Sequence, residues 1–177
     1  MLVTIRHART DYNVKRVFSG KEDTPRLTSE GHLSAYEVGK LIKDYNLDLA
    51  VISPLTRVEE TFLEINKSIN IPYIKDEFLI ERDFKEYEGE PISLIDPKDY
   101  WNINTPSSLN IETMESVVSR VEACLNKIKE EYPNKNILIV SHSGICRTIK
   151  YIVEGKKETD LSKYEMKNLQ VYVYKEW

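Results

Sequence analysis

The chain has 177 residues, of which 41% are apolar and 31% charged, and its net charge is −4. That length can bury a real core, and the composition is far from that of a disordered segment. The mild negative charge excludes an electrostatic case for nucleic acid or an anionic membrane, so a bound anion needs a local cluster of donors.

Leu2 to Ile5 is an apolar run that predicts a short buried strand leading into Arg6-His7. The five residues before Arg6 are too few for a signal peptide, and no apolar run reaches membrane-spanning length. A cytoplasmic protein with no membrane or nucleic-acid partner is the expectation. Asp11 to Arg26 reads as a polar, basic loop. Thr28 is a candidate N-cap for a helix carrying Ala35, Val38, Ile42 and Tyr45. Leu49 to Ile52 predicts a second buried strand. Ser53-Pro54 then opens a helix with an apolar face of Val58, Thr61, Phe62 and Ile65. Pro72 to Lys75 suits a short edge strand.

From Glu81 to about Glu112 the chain shows no sustained periodicity and carries Pro91, Pro97 and Pro106. Loops this long in a compact domain usually have a function. A helix follows, with Met114, Val117, Val118, Val121, Leu125 and Ile128 on one face. Ile137 to Val140 predicts a third buried strand. Ile145, Thr148, Ile149 and Ile152 predict a helix beginning after Ser143-Gly144, and Leu169 to Tyr174 a last strand. Cys124 and Cys146 both sit in apolar patterns and read as buried, inert thiols.

Strands alternating with helices predict an α/β domain with a mostly parallel sheet. Such sheets bind ligands beyond the carboxyl ends of their strands. Here three strands run into Arg6-His7, into Ser53 and then Arg57, and into Ser141-His142. Arginine forks match phosphate oxygens, a neutral imidazole can attack phosphorus, and the free N–H groups at Ser143-Gly144 can add to an anion pocket. Each residue alone has an ordinary reading. His142 suits a structural histidine, and Arg57 a solvated first-turn arginine. Only their joint placement points to phosphate chemistry. There is no HExxH, Walker A, GxGxxG or GxSxG pattern, so neither a metal nor a nucleotide cofactor is expected.

Arg6-His7-Ala8-Arg9-Thr10, with Asn13 beyond, resembles the RHG motif of the histidine phosphatase superfamily, also called phosphoglycerate-mutase-like. Leu27-Thr28-Ser29-Glu30-Gly31 is similar to its LTxxG helix start. Ser53-Pro54-Leu55-Thr56-Arg57, with Thr61, resembles SPLxRxxxT. Leu79-Ile80-Glu81 through Tyr87-Glu88-Gly89 resembles LxE…EWEG, and Val140-Ser141-His142-Ser143-Gly144 resembles VSHGG. The motifs follow the family's order over nearly the whole chain.

The resemblance implies one three-layer α/β/α domain over residues 1–177, with the 81–112 loop near the site. It implies His7 as the phosphorylated nucleophile. Arg6, Arg57 and His142 would complete the phosphate pocket, Glu81 would be the proton donor, and Thr10, Asn13 and Ser143 would lie near the phosphate. Without the resemblance, Glu81, Asp83, Glu86 and Glu88 read as a solvated acidic loop. Four positions depart from the family pattern. Ala8 and Ser143 replace glycines, Arg9 stands where an acid or glutamine is usual, and Arg26 is inserted before Leu27. Tyr87, Tyr100 and Trp101 suit either a substrate wall or a cover for the core. The expected activity is hydrolysis of a small phosphorylated metabolite by a metal-independent, acid-phosphatase-type enzyme. The alternatives are a phosphoglycerate mutase and a non-catalytic phospholigand sensor.

Overall fold

A computed structural model describes all residues, 1–177. Its centre is one five-stranded sheet in the order β3-β2-β4-β1-β5. The strands are β1 (Leu2–Arg6), β2 (Leu49–Ile52), β3 (Tyr73–Lys75), β4 (Ile137–Ser141) and β5 (Val171–Tyr174). Four of them run parallel, and β5 pairs antiparallel with β1. The helices are α1 (Asp11–Lys15), α2 (Ser29–Ile42), α3 (Thr56–Ile69), α4 (Pro97–Tyr100), α5 (Met114–Glu131) and α6 (Ser143–Val153).

Side chains alternate across a strand, so each central strand feeds two cores. Val3, Ile5, Ala50, Ile52, Leu138 and Val140 pack with Val58, Phe62 and Ile65 of α3 and Ala35 of α2. Leu2, Leu49, Val51, Ile137 and Ile139 face the other way, onto Val117, Val121 and Leu125 of α5 and Ile145 and Ile149 of α6. The result is three layers. Strands buried on both faces explain why β1, β2 and β4 read as unbroken apolar runs.

Thr28 caps α2, its Oγ1 accepting from Gly31 N at 3.0 Å. Helices α2 and α3 approach closely because position 39 is glycine. A Cβ on Gly39 would lie 2.5 Å from the Ile65 carbonyl oxygen.

The predicted 11–26 loop is partly ordered as helix. Thr10 and Asn13 form a capping box at the start of α1, and Phe18 is buried. The last strand begins at Val171, two residues later than predicted. Leu169 instead adopts φ 60° in a tight turn closed by Gln170 N–H donating to the Lys167 carbonyl at 3.0 Å. The 81–112 segment has no long element. It holds short 3-10 turns at Lys85–Tyr87 and Ile92–Leu94, plus α4. No helix is long and apolar enough to cross a membrane.

Candidate active site

Strand register builds the floor of the site. Arg6 is level with Ser141 and Ile52 with Val140, so the chain ends of β1, β2 and β4 stop together. The next residues continue the ladder. His7 N–H donates to the Ser141 carbonyl at 2.8 Å, and Ser53 N–H to the Val140 carbonyl at 3.1 Å. His7, His142 and Ser53 therefore stand side by side. Ser53 Oγ and His142 Nε2 are 2.8 Å apart, and the two imidazoles meet edge-on with centroids 5.4 Å apart.

His7 Nδ1 lies 2.8 Å from the Ala8 carbonyl oxygen. A carbonyl only accepts, so Nδ1 carries the proton and Nε2 keeps the lone pair. Burial, reinforced by the positive charge of Arg57 and then Arg6, holds His7 well below the ordinary imidazole range. The ring is neutral at pH 7, and its free lone pair is nucleophilic. Burial and Arg57 hold His142 well below that range too. Ala8 keeps a negative φ, so the glycine-to-alanine departure costs no left-handed strain. Its N–H donates to Thr61 Oγ1 at 2.9 Å, which ties the turn to α3.

Three guanidinium groups surround the histidines. Arg57 belongs to the first turn of α3 and is fully buried, not solvated as the sequence alone suggests. Its Nη1 and Nη2 donate to the Glu22 and Gly20 carbonyls at 2.8 and 2.7 Å. Arg6 Nη1 donates to the Met166 carbonyl at 2.6 Å. Arg147 Nη1 donates to the Tyr164 carbonyl, and its guanidinium lies 5.2 Å from the Trp101 ring centroid. Arg57 fixes both Nη groups on carbonyls and Arg6 and Arg147 fix Nη1, while the buried Nε–H of each has no protein partner. Burial lowers Arg6 and Arg57 to about 10, with Glu81 opposing the fall. Both stay charged at neutral pH, so this wall of the cavity is cationic and chemically suited to an oxyanion.

Glu81 closes one side. Its Oε2 accepts from Gly144 N at 3.1 Å and its Oε1 from Arg82 N at 2.9 Å. The neighbouring acids are engaged elsewhere. Asp83 pairs with Lys21 and Lys85, Glu86 accepts from Asn110, and Glu88 caps the backbone N–H groups of Lys21 and Glu22. The segment after Glu81 is held by Arg82, which is fully buried. Its Nη1 donates to the Tyr100 carbonyl, its Nε to the Glu112 carbonyl at 2.5 Å, and its Nη2 to Thr105 Oγ1 at 3.0 Å. That clamp brings Tyr100 and Trp101 to the cavity. Both also pack into the core, so they serve as wall and cover together. Tyr87 only packs against the core.

The cavity has a volume of about 320 Å³. Arg6, His7, Asn13, Arg57, Glu81 and Ser143 line it. His142 and Thr10 do not. His142 lies fully buried behind His7, and Thr10 is spent on the cap of α1, its Oγ1 accepting from Asn13 N at 3.2 Å. Arg9 points away and pairs with Glu30, and Arg26 folds onto the carbonyls of Thr24 and Pro25. Arg16, Arg147 and Asn168 also line the cavity, and the sequence reading does not single them out as site residues. Arg147 had a signal, since it lies four residues after Ser143 on a helix that opens at the site. Asn168 had none.

A family model described as the histidine phosphatase superfamily, branch 1, matches residues 2–176. Among curated relatives, the chain is 33% identical to an uncharacterised phosphatase, PhoE, of Bacillus subtilis (strain 168), covering 85% of this chain and 76% of that one. It is 29% identical to phosphoserine phosphatase 1 of Hydrogenobacter thermophilus, covering 92% and 79%. Among solved structures, YhfR of Bacillus stearothermophilus superposes with a TM-score of 0.82 at 25% identity, covering 95% and 86%.

Proposed function

The chain belongs to the histidine phosphatase superfamily and is a phosphatase, and we propose that it hydrolyses small phosphomonoesters through a phosphohistidine at Nε2 of His7. The observation that carries this reading is the Nδ1–H···O=C bond of His7, which leaves Nε2 as the nucleophilic nitrogen among three arginines.

Nε2 attacks phosphorus as the ester P–O bond breaks. The guanidinium groups of Arg6, Arg57 and Arg147, which line the cavity, offset the charge that spreads over the equatorial oxygens. His142, with its Nε2 2.8 Å from Ser53 Oγ, packs edge-on behind His7 and braces the nucleophile from within the core. Asn13 and the N–H end of α6 at Ser143 complete the pocket. Glu81 gives its proton to the departing alkoxide, then takes one from the water that cleaves the phosphohistidine. The guanidinium cluster supplies the charge that a divalent cation supplies in other phosphatases, so no metal is needed. A sensor of phosphorylated ligands would have no use for the carboxylate.

The test is brief mixing with ³²P-labelled substrate and an alkaline quench. Acid-labile label should lie on the peptide holding His7 and decay to inorganic phosphate. Decay by transfer to a phosphoglycerate would assign a mutase instead, and undiminished activity in His7→Ala would exclude this site.

A further inference from the structure

The turn 167–170 is built in an unusual way. Leu169 sits at φ 60°, a left-handed conformation that a bulky side chain rarely adopts. Its N–H donates to the Arg6 carbonyl at 3.0 Å, so the strained residue is pinned to the end of β1. The effect is to set Asn168 beside the nucleophile. Asn168 Nδ2 donates to the His7 carbonyl at 2.9 Å, to the Ala8 carbonyl at 3.2 Å and to Asn13 Oδ1 at 3.0 Å. All three partners are oxygens, so the amide faces them with its NH₂ end.

We propose that Asn168 is a positioning residue, which fixes the His7 ring through the Ala8 carbonyl and the Asn13 amide by its oxygen. The Ala8 carbonyl accepts from both Asn168 Nδ2 and His7 Nδ1. Its orientation decides where the imidazole points, and Thr61 holds the same residue from its N–H side. Asn13 Oδ1 accepts from Thr10 N–H at 3.1 Å as well as from Asn168. The oxygen is therefore saturated, and the NH₂ is the polar end of Asn13 left for a ligand in the cavity. A residue 161 positions from His7 thus sets the tautomer of one cavity residue and the amide orientation of another.

The kinetic arm of the test rests on the phosphohistidine reading, and the spectroscopic arm does not. In ¹⁵N-resolved spectra of the free wild-type protein, His7 should appear as the Nδ1–H tautomer. Asn168→Asp keeps the shape and replaces the donors with acceptors, and Asn168→Ala removes them. Both should populate the other tautomer of His7. They should also slow the phosphorylation burst on the order of 10- to 100-fold, as expected when a nucleophile loses its alignment, with a smaller change in KM. A wild-type His7 in the Nε2–H form would overturn the proposal. So would unchanged spectra and burst rates in both variants, or losses explained wholly by a smaller folded fraction. A shifted tautomer with an unchanged burst would uphold the positioning role and place the failure in the phosphohistidine reading.

Discussion

Gly144 and Glu81 are in direct contact: the Gly144 N–H donates to Glu81 Oε2 at 3.1 Å, and a Cβ at position 144 would lie 2.5 Å from Oε1. The same Cβ would fall 2.9 Å from Trp101 Cζ3. The first turn of α6 thus sets both the carboxylate and the aromatic wall, and only glycine permits the approach.

Gly144→Ala should therefore push Glu81 and Trp101 outward. On the proposed mechanism, in which Glu81 is the proton donor, its displacement should lower kcat on alkyl phosphates by about 10- to 100-fold. With p-nitrophenyl phosphate, whose leaving group hardly needs a proton, the loss should be smaller. Equal kcat for wild type and variant on alkyl phosphates would show that the contact does not control the acid.

Stability should depend on pH through the two buried histidines. His7 and His142 are held well below the unfolded imidazole value of 6.5. Below that value the unfolded chain takes up protons that the native state refuses. Stability should be flat above 6.5 and fall as pH drops toward the native values, by up to about 1.4 kcal/mol per pH unit for each histidine. Urea unfolding between pH 7.5 and 5.5 checks this, with His142→Gln expected to give a shallower slope. Identical slopes would mean that His142 takes up its proton equally readily in the folded and the unfolded chain.

How far these features are legible in the sequence depends on periodicity. Strands β1, β2 and β4 and helices α2, α3 and α5 can be read because two-sided burial or a 3.6-residue stripe leaves a pattern. The ends of those strands locate His7, Ser53 and His142, because register in a parallel sheet makes neighbouring strand ends level. Arg82, Tyr100 and Trp101 lie where the backbone is irregular and the contacts are to carbonyls, which any sequence provides. Asn168 is placed by a positive φ at Leu169, and leucine gives no warning of one. Arg57 taken by itself is hard to read for a different reason. A first-turn arginine is normally solvated, and here its partners are the Gly20 and Glu22 carbonyls of a loop that only the tertiary fold brings near.

Exhaustive treatment with EDTA should leave activity intact. No group of three or more His, Cys, Asp and Glu side chains is arranged to hold a metal ion, whereas Arg6, Arg57 and Arg147 line the same cavity as His7. Phosphate release before and after chelation is the measurement. Activity that falls on chelation and returns with a divalent cation would contradict the arginine-only account.

Glu81→Gln should separate proton transfer from phosphate binding. The carboxylate anchors to two backbone N–H groups, those of Gly144 and Arg82, and is 7% exposed, so it is held at the cavity edge without a side-chain cation bonded to it. Arg6, Arg57 and Arg147 are poor proton donors at neutral pH, and the His7 proton is committed to the Ala8 carbonyl. Glu81 is the side chain left in the cavity that can both give and take a proton. Glutamine keeps the size and one acceptor but loses that ability. The burst on alkyl phosphates should slow by about 100- to 10,000-fold, the usual worth of general acid catalysis. With p-nitrophenyl phosphate the burst should be much less affected, while the later hydrolysis slows because water has lost its base. Phosphohistidine should then accumulate in the variant and be recoverable by alkaline quench. An equal slowing of the burst on both substrates, with no accumulation, would mean that Glu81 orients the phosphate or supports the 81–112 segment rather than moving a proton.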